Sequence, residues 1–217
     1  MATKNSINNK TGSLSIDPGS SGDSYVQFNI NTTGEFRIGV DDTDSDAFKF
    51  SQGSALGSND FLTISAAGEV LNPLTPAFGM QGADASNVTG DSGTFYTITT
   101  GTEYFDQNSD FDGTSTFTAP ITGKYYFNIC ITCDGITSAQ IYGQSRLTTS
   151  NRIYACDIKN SGAMRDANNA FTHRFSVIAD MDAADTAYMQ IYVYSIAGSN
   201  VVDVVGSGTF FSGYLVG

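Results

Sequence analysis

The feature that most constrains this 217-residue chain is a short-range alternation in which every second residue is apolar. Side chains two residues apart lie on the same face of a β-strand, so each alternating segment predicts a strand with one apolar face. Turn signals rich in Gly, Asn and Asp separate the segments. No amphipathic helix of useful length interrupts them, and the chain is predicted to be all-β. In the first part of the chain the alternating residues are Val26, Phe28 and Ile30, then Phe36, Ile38 and Val40, then Phe48 and Phe50, then Leu62 and Ile64.

Composition divides the chain into three parts. Residues 1–22 form a polar arm with too little apolar surface to offset the entropy of its ordering, so we expect a partner to hold it. Residues 23–71 are the alternating stem. Pro73 and Pro76 disfavour helix and stop a strand ladder, which marks a boundary before a head at 72–217.

The head has regularly spaced strand signals with turns between them, a pattern typical of a sandwich or barrel. An Asp-rich segment at 179–187 fits a turn between two strands. The predicted head strands are 95–100, 115–118, 123–133, 136–144, 152–158, 171–178, 187–195 and 208–216.

The stem is too small to form a core by itself, because four short strands bury little apolar surface. Three copies around an axis would close the sheet edges and share one core. The stem therefore predicts a homo-oligomer, and Phe28, Phe36 and Phe48 are candidates for the interface of such a trimer.

The charge of the chain restricts its partners. Its formal net charge is −12 and its pI is about 4.1, and such a surface repels phosphate. We expect no nucleic-acid partner. No apolar run approaches the ~20 residues of a membrane span, and the segment 1–10 (MATKNSINNK) shows no secretion signal. We expect no membrane insertion, and we expect that the chain is synthesised in a cytoplasm.

Three head segments carry a family resemblance. Residues 111–127 (FDGTSTFTAPITGKYYF) resemble the signature of complement C1q-type domains, and residues 209–215 (TFFSGYL) are similar to the ending of the same family. Residues 185–191 (DTAYMQI) match its acidic turn and apolar strand more loosely. The resemblance covers about residues 76–217 and implies a C1q/TNF-like jelly-roll sandwich that assembles as a trimer.

Two head strands have faces that can be assigned from the alternation. Tyr125, Phe127, Ile129, Ile131 and Cys133 share one face of the first and are predicted core, as are Ala187, Met189, Ile191 and Val193 on the second. The opposite face of the second strand has Tyr188, Tyr192 and Tyr194. A strand with one solvent face should be more polar there. The tyrosines are predicted to pack near the trimer axis, and a surface aromatic stripe is the alternative.

The stem has a second resemblance. Residues 33–50 (TGEFRIGVDDTDSDAFKF), followed by 53–60 (GSALGSND) and 62–64 (LTI), look like segments of bacteriophage fibre proteins that form a β-rich stalk before a knob. An arm, a stalk and a head follow the plan of a viral fibre. The resemblance implies a virion-surface location, on capsid or tail, with residues 1–22 bound to another virion protein.

Acidic turns raise the question of calcium. Asp42, Asp44 and Asp46 have the D-x-D-x-D spacing of a calcium loop, but Ala47 and Gly53 replace the Gly and Glu of an EF-hand. A solvated turn is the favoured interpretation, and no cofactor is expected.

Two head loops are candidates for binding. The first is 106–112, with Asp106, Asp110 and Asp112, and the second is 160–169, with Arg165. Loops at a sandwich tip commonly carry recognition, and we expect them to contact a host-surface glycan or protein.

Signatures of catalysis are missing from the sequence. The single His, His173, lies on a predicted strand without a G-x-S-x-G motif, and a packed or surface role is favoured. The three Glu form no pair of the glycosidase kind, and no phosphate-binding loop occurs. Cys130 and Cys133 are three apart on a strand and point to opposite faces, which predicts buried free thiols. The chain is not expected to be an enzyme.

The sequence therefore predicts a trimeric fibre or spike protein of a bacteriophage with a knob for adhesion. A capsid decoration or head-fibre protein that mainly stabilises the shell is one alternative. A free secreted C1q-like binding protein is another.

Overall fold

The structure is a computed structural model that describes residues 16, 18–19, 21–30, 34–89, 94–198 and 201–217. Most of the predicted arm, residues 1–15, 17 and 20, lies outside them. Strands are the main regular structure of the described chain, beside one short helix and two 3-10 helices, which confirms the all-β prediction. No helix in this part of the chain is long and apolar enough to cross a membrane. The chain forms two compact units that divide after Leu74, for which we keep the names stem and head.

The stem is one five-stranded antiparallel sheet in which each strand pairs with the next. A 3-10 helix at Asp42–Asp44 joins its second and third strands. The four predicted stem strands are confirmed, and a short fifth was not predicted. The strands are β1 (Ser24–Ile30), β2 (Gly34–Asp41), β3 (Ala47–Gln52), β4 (Asp60–Ile64) and β5 (Val70–Leu71).

The head contains twelve strands in its described part, one short helix and a 3-10 helix at Gly206–Gly208. The elements are β6 (Ala77–Gly82), β7 (Ala85–Val88), β8 (Tyr96–Thr97), β9 (Thr100–Gln107), β10 (Phe117–Thr118), β11 (Gly123–Asp134), β12 (Tyr142–Thr149), β13 (Ile153–Lys159), α1 (Ser161–Met164), β14 (Phe171–Met181), β15 (Thr186–Tyr194), β16 (Val202–Val204) and β17 (Phe210–Leu215).

These head strands form two antiparallel sheets. The seven-stranded sheet has the order β7-β16-β11-β17-β6-β9, with β14 paired to β11. The five-stranded sheet has the order β10-β15-β12-β13, with β8 paired to β15. The pairing is nested, since β6 pairs with β17, β8 and β10 pair with β15, β11 with β14, and β12 with β13. Nested pairing over two sheets is the jelly-roll arrangement, so the head is a jelly-roll sandwich.

The head core fills the space between the two sheets. The ring of Phe78 lies 5.0 Å from those of Phe111 and Phe117, and 4.9 Å from that of Phe211. The predicted core faces are confirmed, because every predicted residue is fully buried: Tyr125, Phe127, Ile129, Ile131 and Cys133 on β11, and Ala187, Met189, Ile191 and Val193 on β15.

One predicted strand was misplaced, and four strands were missed. Residues 136–141 form a loop, in which Ile136 and Gln140 are buried, and the strand that follows begins only at Tyr142. The missed strands are β6, β7, β9 and β16. In β6, Gly79 weakens the alternation, but a side chain there would meet the Phe105 ring, with a Cβ only 2.7 Å from its nearest carbon.

Candidate functional site

In the stem sheet the apolar face is exposed and the polar face is buried, which is the reverse of the usual arrangement in a soluble protein. The register aligns Val26, Ile38, Phe50 and Leu62 across four strands on one face. That apolar face is the open one, with Phe28 57% exposed and Phe50 40% exposed. A shallow apolar groove runs along it, lined by Phe28, Phe36, Ile38, Phe50, Phe61 and Leu62.

The opposite face of the stem is polar and buried. Lys49, only 4% exposed, lies at its centre, and its Nζ is 2.9 Å from Asp41 Oδ2, 2.6 Å from Asp44 and 3.1 Å from Asp60. Burial alone would lower the pKa of Lys49, but the hydrogen bonds to these carboxylates raise it above its usual value. Burial would likewise raise the pKa of Asp41, and hydrogen bonds from Thr43 and Lys49 hold it below the usual value. Lys49 and Asp41 are therefore ionised at neutral pH.

This cluster accounts for the acidic turn that raised the question of calcium. Asp44 pairs with Lys49, and Asp42 Oδ2 accepts a hydrogen bond from the Gly22 amide. Asp46 is exposed, at a positive φ of 61°. Among the described residues no group of three or more His, Cys, Asp or Glu could hold a metal ion. The Lys49 ammonium already supplies a positive charge to this turn.

The head has an open apolar surface on the outer face of the seven-stranded sheet. Tyr126 and Tyr214 lie opposite each other on β11 and β17, with ring centroids 5.3 Å apart, and Ile178 follows on β14. Further along the same face, Tyr104 stacks on Phe210 at 6.4 Å. Sequence reasoning missed this face, although the alternation that places Tyr125 in the core also turns Tyr126 outward.

The predicted tyrosine stripe lies on the outer face of the other sheet. Tyr192 is largely covered within its own chain, 5.2 Å from the Phe95 ring and 5.9 Å from the Tyr142 ring. Tyr188 is half-buried and Tyr194 is exposed. The assignment of the three tyrosines to a trimer interface stays a prediction.

The two predicted binding loops lie at opposite ends of the sandwich. Asp110 lies near Tyr125, at the start of β11, and its amide bonds to Asp106. Burial and the Asp106 charge raise the pKa of Asp110. Arg165 belongs to the other end, where it donates to the Gly162 carbonyl and to Asn169, whose own carbonyl bonds the Ile136 amide.

The loop at 106–112 also contains Asp112, which accepts hydrogen bonds from the amides of Thr114, Ser115 and Thr116. Burial opposes its ionisation, but these bonds lower its pKa overall. Asp106, Asp112 and Arg165 thus all order their own loops, and the structure does not bring the two loops into one site.

A Ser–His–Asp arrangement is present inside the head. His173 Nδ1 is 3.1 Å from Asp157 Oδ2, and His173 Nε2 is 3.4 Å from Ser161 Oγ. Burial lowers the pKa of His173, although the Asp157 charge opposes this, so the imidazole is neutral at pH 7. Ser161 and His173 are fully buried, so a substrate cannot reach the hydroxyl in this conformation. The arrangement supports a packed His, as favoured from the sequence.

The two thiols of the C-x-x-C segment are free and buried, as predicted. Burial raises the pKa of Cys133 to about 12, and it also raises that of Cys130. Both are therefore neutral thiols at physiological pH, which disfavours redox or metal chemistry.

Comparison with known proteins adds only distant likenesses. No family model matches the chain, and no curated protein matches it. Among solved structures, the globular domain of zebrafish complement 1qA protein covers 65% of this chain and 98% of its own, at 16% identity and a TM-score of 0.46. Murine APRIL covers 65% and 99%, at 9% identity and a TM-score of 0.46. At such scores the jelly-roll assignment rests on the strand pairing of the chain itself, and function is argued from its surfaces.

Proposed function

We propose that the chain is a non-enzymatic structural protein that assembles as a homotrimeric fibre on the surface of a bacteriophage virion. Its stem forms the trimeric stalk, and its jelly-roll head is a knob displayed for adhesion to a host surface. Another virion protein holds residues 1–22.

The observation that carries this proposal is the apolar face of the stem sheet, which is left largely exposed by the described residues. At about 150–250 Å² for a phenylalanine, the exposed parts of Phe28, Phe36, Phe50 and Phe61, together with Val26 and Val70, amount to roughly 500 Å². That size is at the upper end of what monomeric soluble proteins expose, and patches of this kind are often functional. Because the opposite face contains buried ionic groups, it cannot replace this face as the apolar packing surface of the sheet. The apolar face therefore needs to pack against something outside the sheet.

A second copy of the same sheet is the cover that fits this face. Every copy carries the same unpaired surface, and rotational symmetry satisfies all copies at once. Three copies around one axis would enclose their phenylalanines in a shared core. The apolar row of Tyr126, Tyr214 and Ile178 gives the head a surface of similar character for self-association.

The virion location is supported by the likeness of residues 33–64 to phage fibre segments and by the order of arm, stalk and knob. On a capsid, stabilising the shell would accompany adhesion. The closed Ser161–His173–Asp157 arrangement supports the absence of enzymatic activity.

Electron microscopy of virions labelled with an antibody against the head tests the location. Label on the capsid would identify a head fibre or decoration protein, and label on the tail would make receptor recognition the leading role. If the label stays with soluble protein and never with particles, the virion proposal is wrong and a free binding protein takes its place.

A further inference from the structure

A polar groove lies at one end of the seven-stranded head sheet. It has a volume of about 300 Å³ and is formed by three chain segments that meet there. One segment leads out of β6, one begins β9, and one precedes β17. This is the end of β6 away from Thr75, where the chain enters the head. Its lining residues are Gln81, Gly82, Ala83, Asp84, Gly101, Thr102, Gly206 and Ser207.

The backbone around the groove departs from regular strand geometry. The pairing of β6 with the edge strand β9 shifts register twice, and the extra residues are Tyr104 and Gly101. Such bulges redirect side chains and are common beside binding sites. A side chain on Gly101 would lie 2.6 Å from the Gly82 carbonyl oxygen, so glycine allows the two strands this close approach.

The groove has unused hydrogen-bonding groups of several kinds. Asp84 Oδ1 accepts from the Gly206 amide at 2.7 Å, which leaves its second oxygen for a ligand. Gln81 Oε1 accepts from the Tyr104 hydroxyl at 2.7 Å, which leaves the Gln81 amide as a donor. Thr102 and Ser207 are exposed and add hydroxyl groups that donate or accept.

An aromatic pair flanks the groove on the outer face of the sheet. Tyr104 and Phe210 stack with ring centroids 6.4 Å apart, and Tyr104 is 54% exposed. The hydrogen bond to Gln81 ties the tyrosine to the groove wall. An open ring face beside fixed donors and acceptors suits a ligand with one apolar face and several hydroxyl groups.

We infer that this groove binds a neutral carbohydrate. A sugar ring presents C–H groups to an aromatic face and hydroxyl groups at its edges, which matches the Tyr104 ring and the polar groups of Gln81, Asp84, Thr102 and Ser207. Asp84 is the charged residue of the lining, and the chain carries a net charge of −12, so an anionic ligand is disfavoured. The inference rests on the proposed adhesive role of the head and names its ligand class.

Saturation-transfer NMR on the full chain tests this inference. The probes are the methyl glycosides of glucose, galactose and mannose, and N-acetylglucosamine, each at up to about 10 mM, since a single protein–sugar contact site is typically weak. We expect transfer to at least one probe. Tyr104→Ala should weaken binding by about tenfold, while Tyr104→Phe should retain most of it because the ring remains.

A matched pair of variants locates the binding. Ser207→Arg should abolish transfer by filling the groove, whereas Ser54→Arg, the same change on an exposed stem loop, should leave it intact. The inference is overturned if no probe shows transfer, or if binding survives Ser207→Arg.

The mass of the same samples separates this inference from the proposed assembly. Binding to one groove does not require a trimer. A trimer without sugar binding would overturn the groove alone, and a sugar-binding monomer would overturn the trimeric fibre alone.

Discussion

At Lys49, one ammonium group meets three carboxylates within 3.1 Å on a buried face of the stem. Removing one member of a buried ion cluster leaves uncompensated charge, which costs much more than the net contribution of an exposed pair. The spacing of the aspartates in the sequence suggested cation binding. It could not show that Lys49, on the next strand, would be the cation, because that pairing depends on the register of β2, β3 and β4.

We predict that Lys49→Met destabilises the stem by about 3–5 kcal/mol at pH 7, because it leaves buried carboxylates without their positively charged partner. Chemical denaturation followed by circular dichroism measures this. Lys124→Met, at an exposed lysine of the head, is the control and should change little. Equal denaturation midpoints for Lys49→Met and the wild type would show that the cluster does not stabilise the stem.

The same cluster gives the stem a pH dependence. The pKa of Asp41 is lower in the folded chain, so its stabilisation is present above the unfolded value of about 3.9 and is lost as pH falls through the folded value. The pKa of Lys49 is raised, so its stabilisation is present below about 10.4 and is lost as pH rises through the folded value. Stability at neutral pH should be flat and should fall near pH 4 and below.

His173 predicts a separate pH dependence in the head. Its folded pKa is lowered, so the unfolded chain takes up the proton first as pH falls below about 6.5, and stability decreases from there toward the folded pKa. His173→Gln should remove this slope while leaving the loss near pH 4. Denaturation midpoints measured from pH 7.5 to about pH 5 would contradict the account if both proteins lose stability in parallel.

At the scale of strands, alternation alone could predict most of the fold. It placed β11 and β15 and their buried faces because a period of two fixes which side chains point inward. It could not place β6, whose glycines make room for neighbouring rings, nor β12, whose start depends on how the preceding loop buries Gln140. The Ser161–His173–Asp157 contact was also hidden, since its members come from three elements that only long-range pairing brings together.

The place where β12 packs against the Ser161–His173–Asp157 contact gives a prediction with a matched control variant. A side chain at Gly143 would collide with Ser161 Oγ and lie 2.9 Å from His173 Nε2. Gly143→Ala should therefore destabilise the head by about 1–3 kcal/mol. Ser145→Ala, two residues on, removes a buried hydroxyl that has no hydrogen-bond partner in the described part of the chain, and it should be neutral or stabilising. Thermal unfolding measures both effects. The packing would be contradicted if Gly143→Ala were neutral and Ser145→Ala were destabilising.

For the whole molecule, the sequence predicted an oligomer from the small size of the stem core. The structure adds a reason why the apolar face of the stem stays open: the opposite face is the one that buries the ionic groups. The binding loops and the tyrosine stripe of the head stay predictions. The recognition loops were chosen by composition, whereas the apolar row of Tyr126, Tyr214 and Ile178 and the polar groove are built by residues from several distant strands.

The stem face should control assembly. Phe28→Asp places a charge on the open apolar face and should dissociate the trimer, because the carboxylate would be buried unpaired. Asn29→Asp adds the same group one residue along β1, on the other face, and should leave assembly unchanged. Sedimentation velocity on both variants distinguishes them, and equal behaviour would place the interface elsewhere.

The mass of the full chain in dilute solution, measured by light scattering after size exclusion, decides whether the stem forms a trimeric stalk. We expect three times the 23.0 kDa of one chain, stable to dilution. A mass of one chain, with the apolar stem face open to water, would contradict the trimeric stalk.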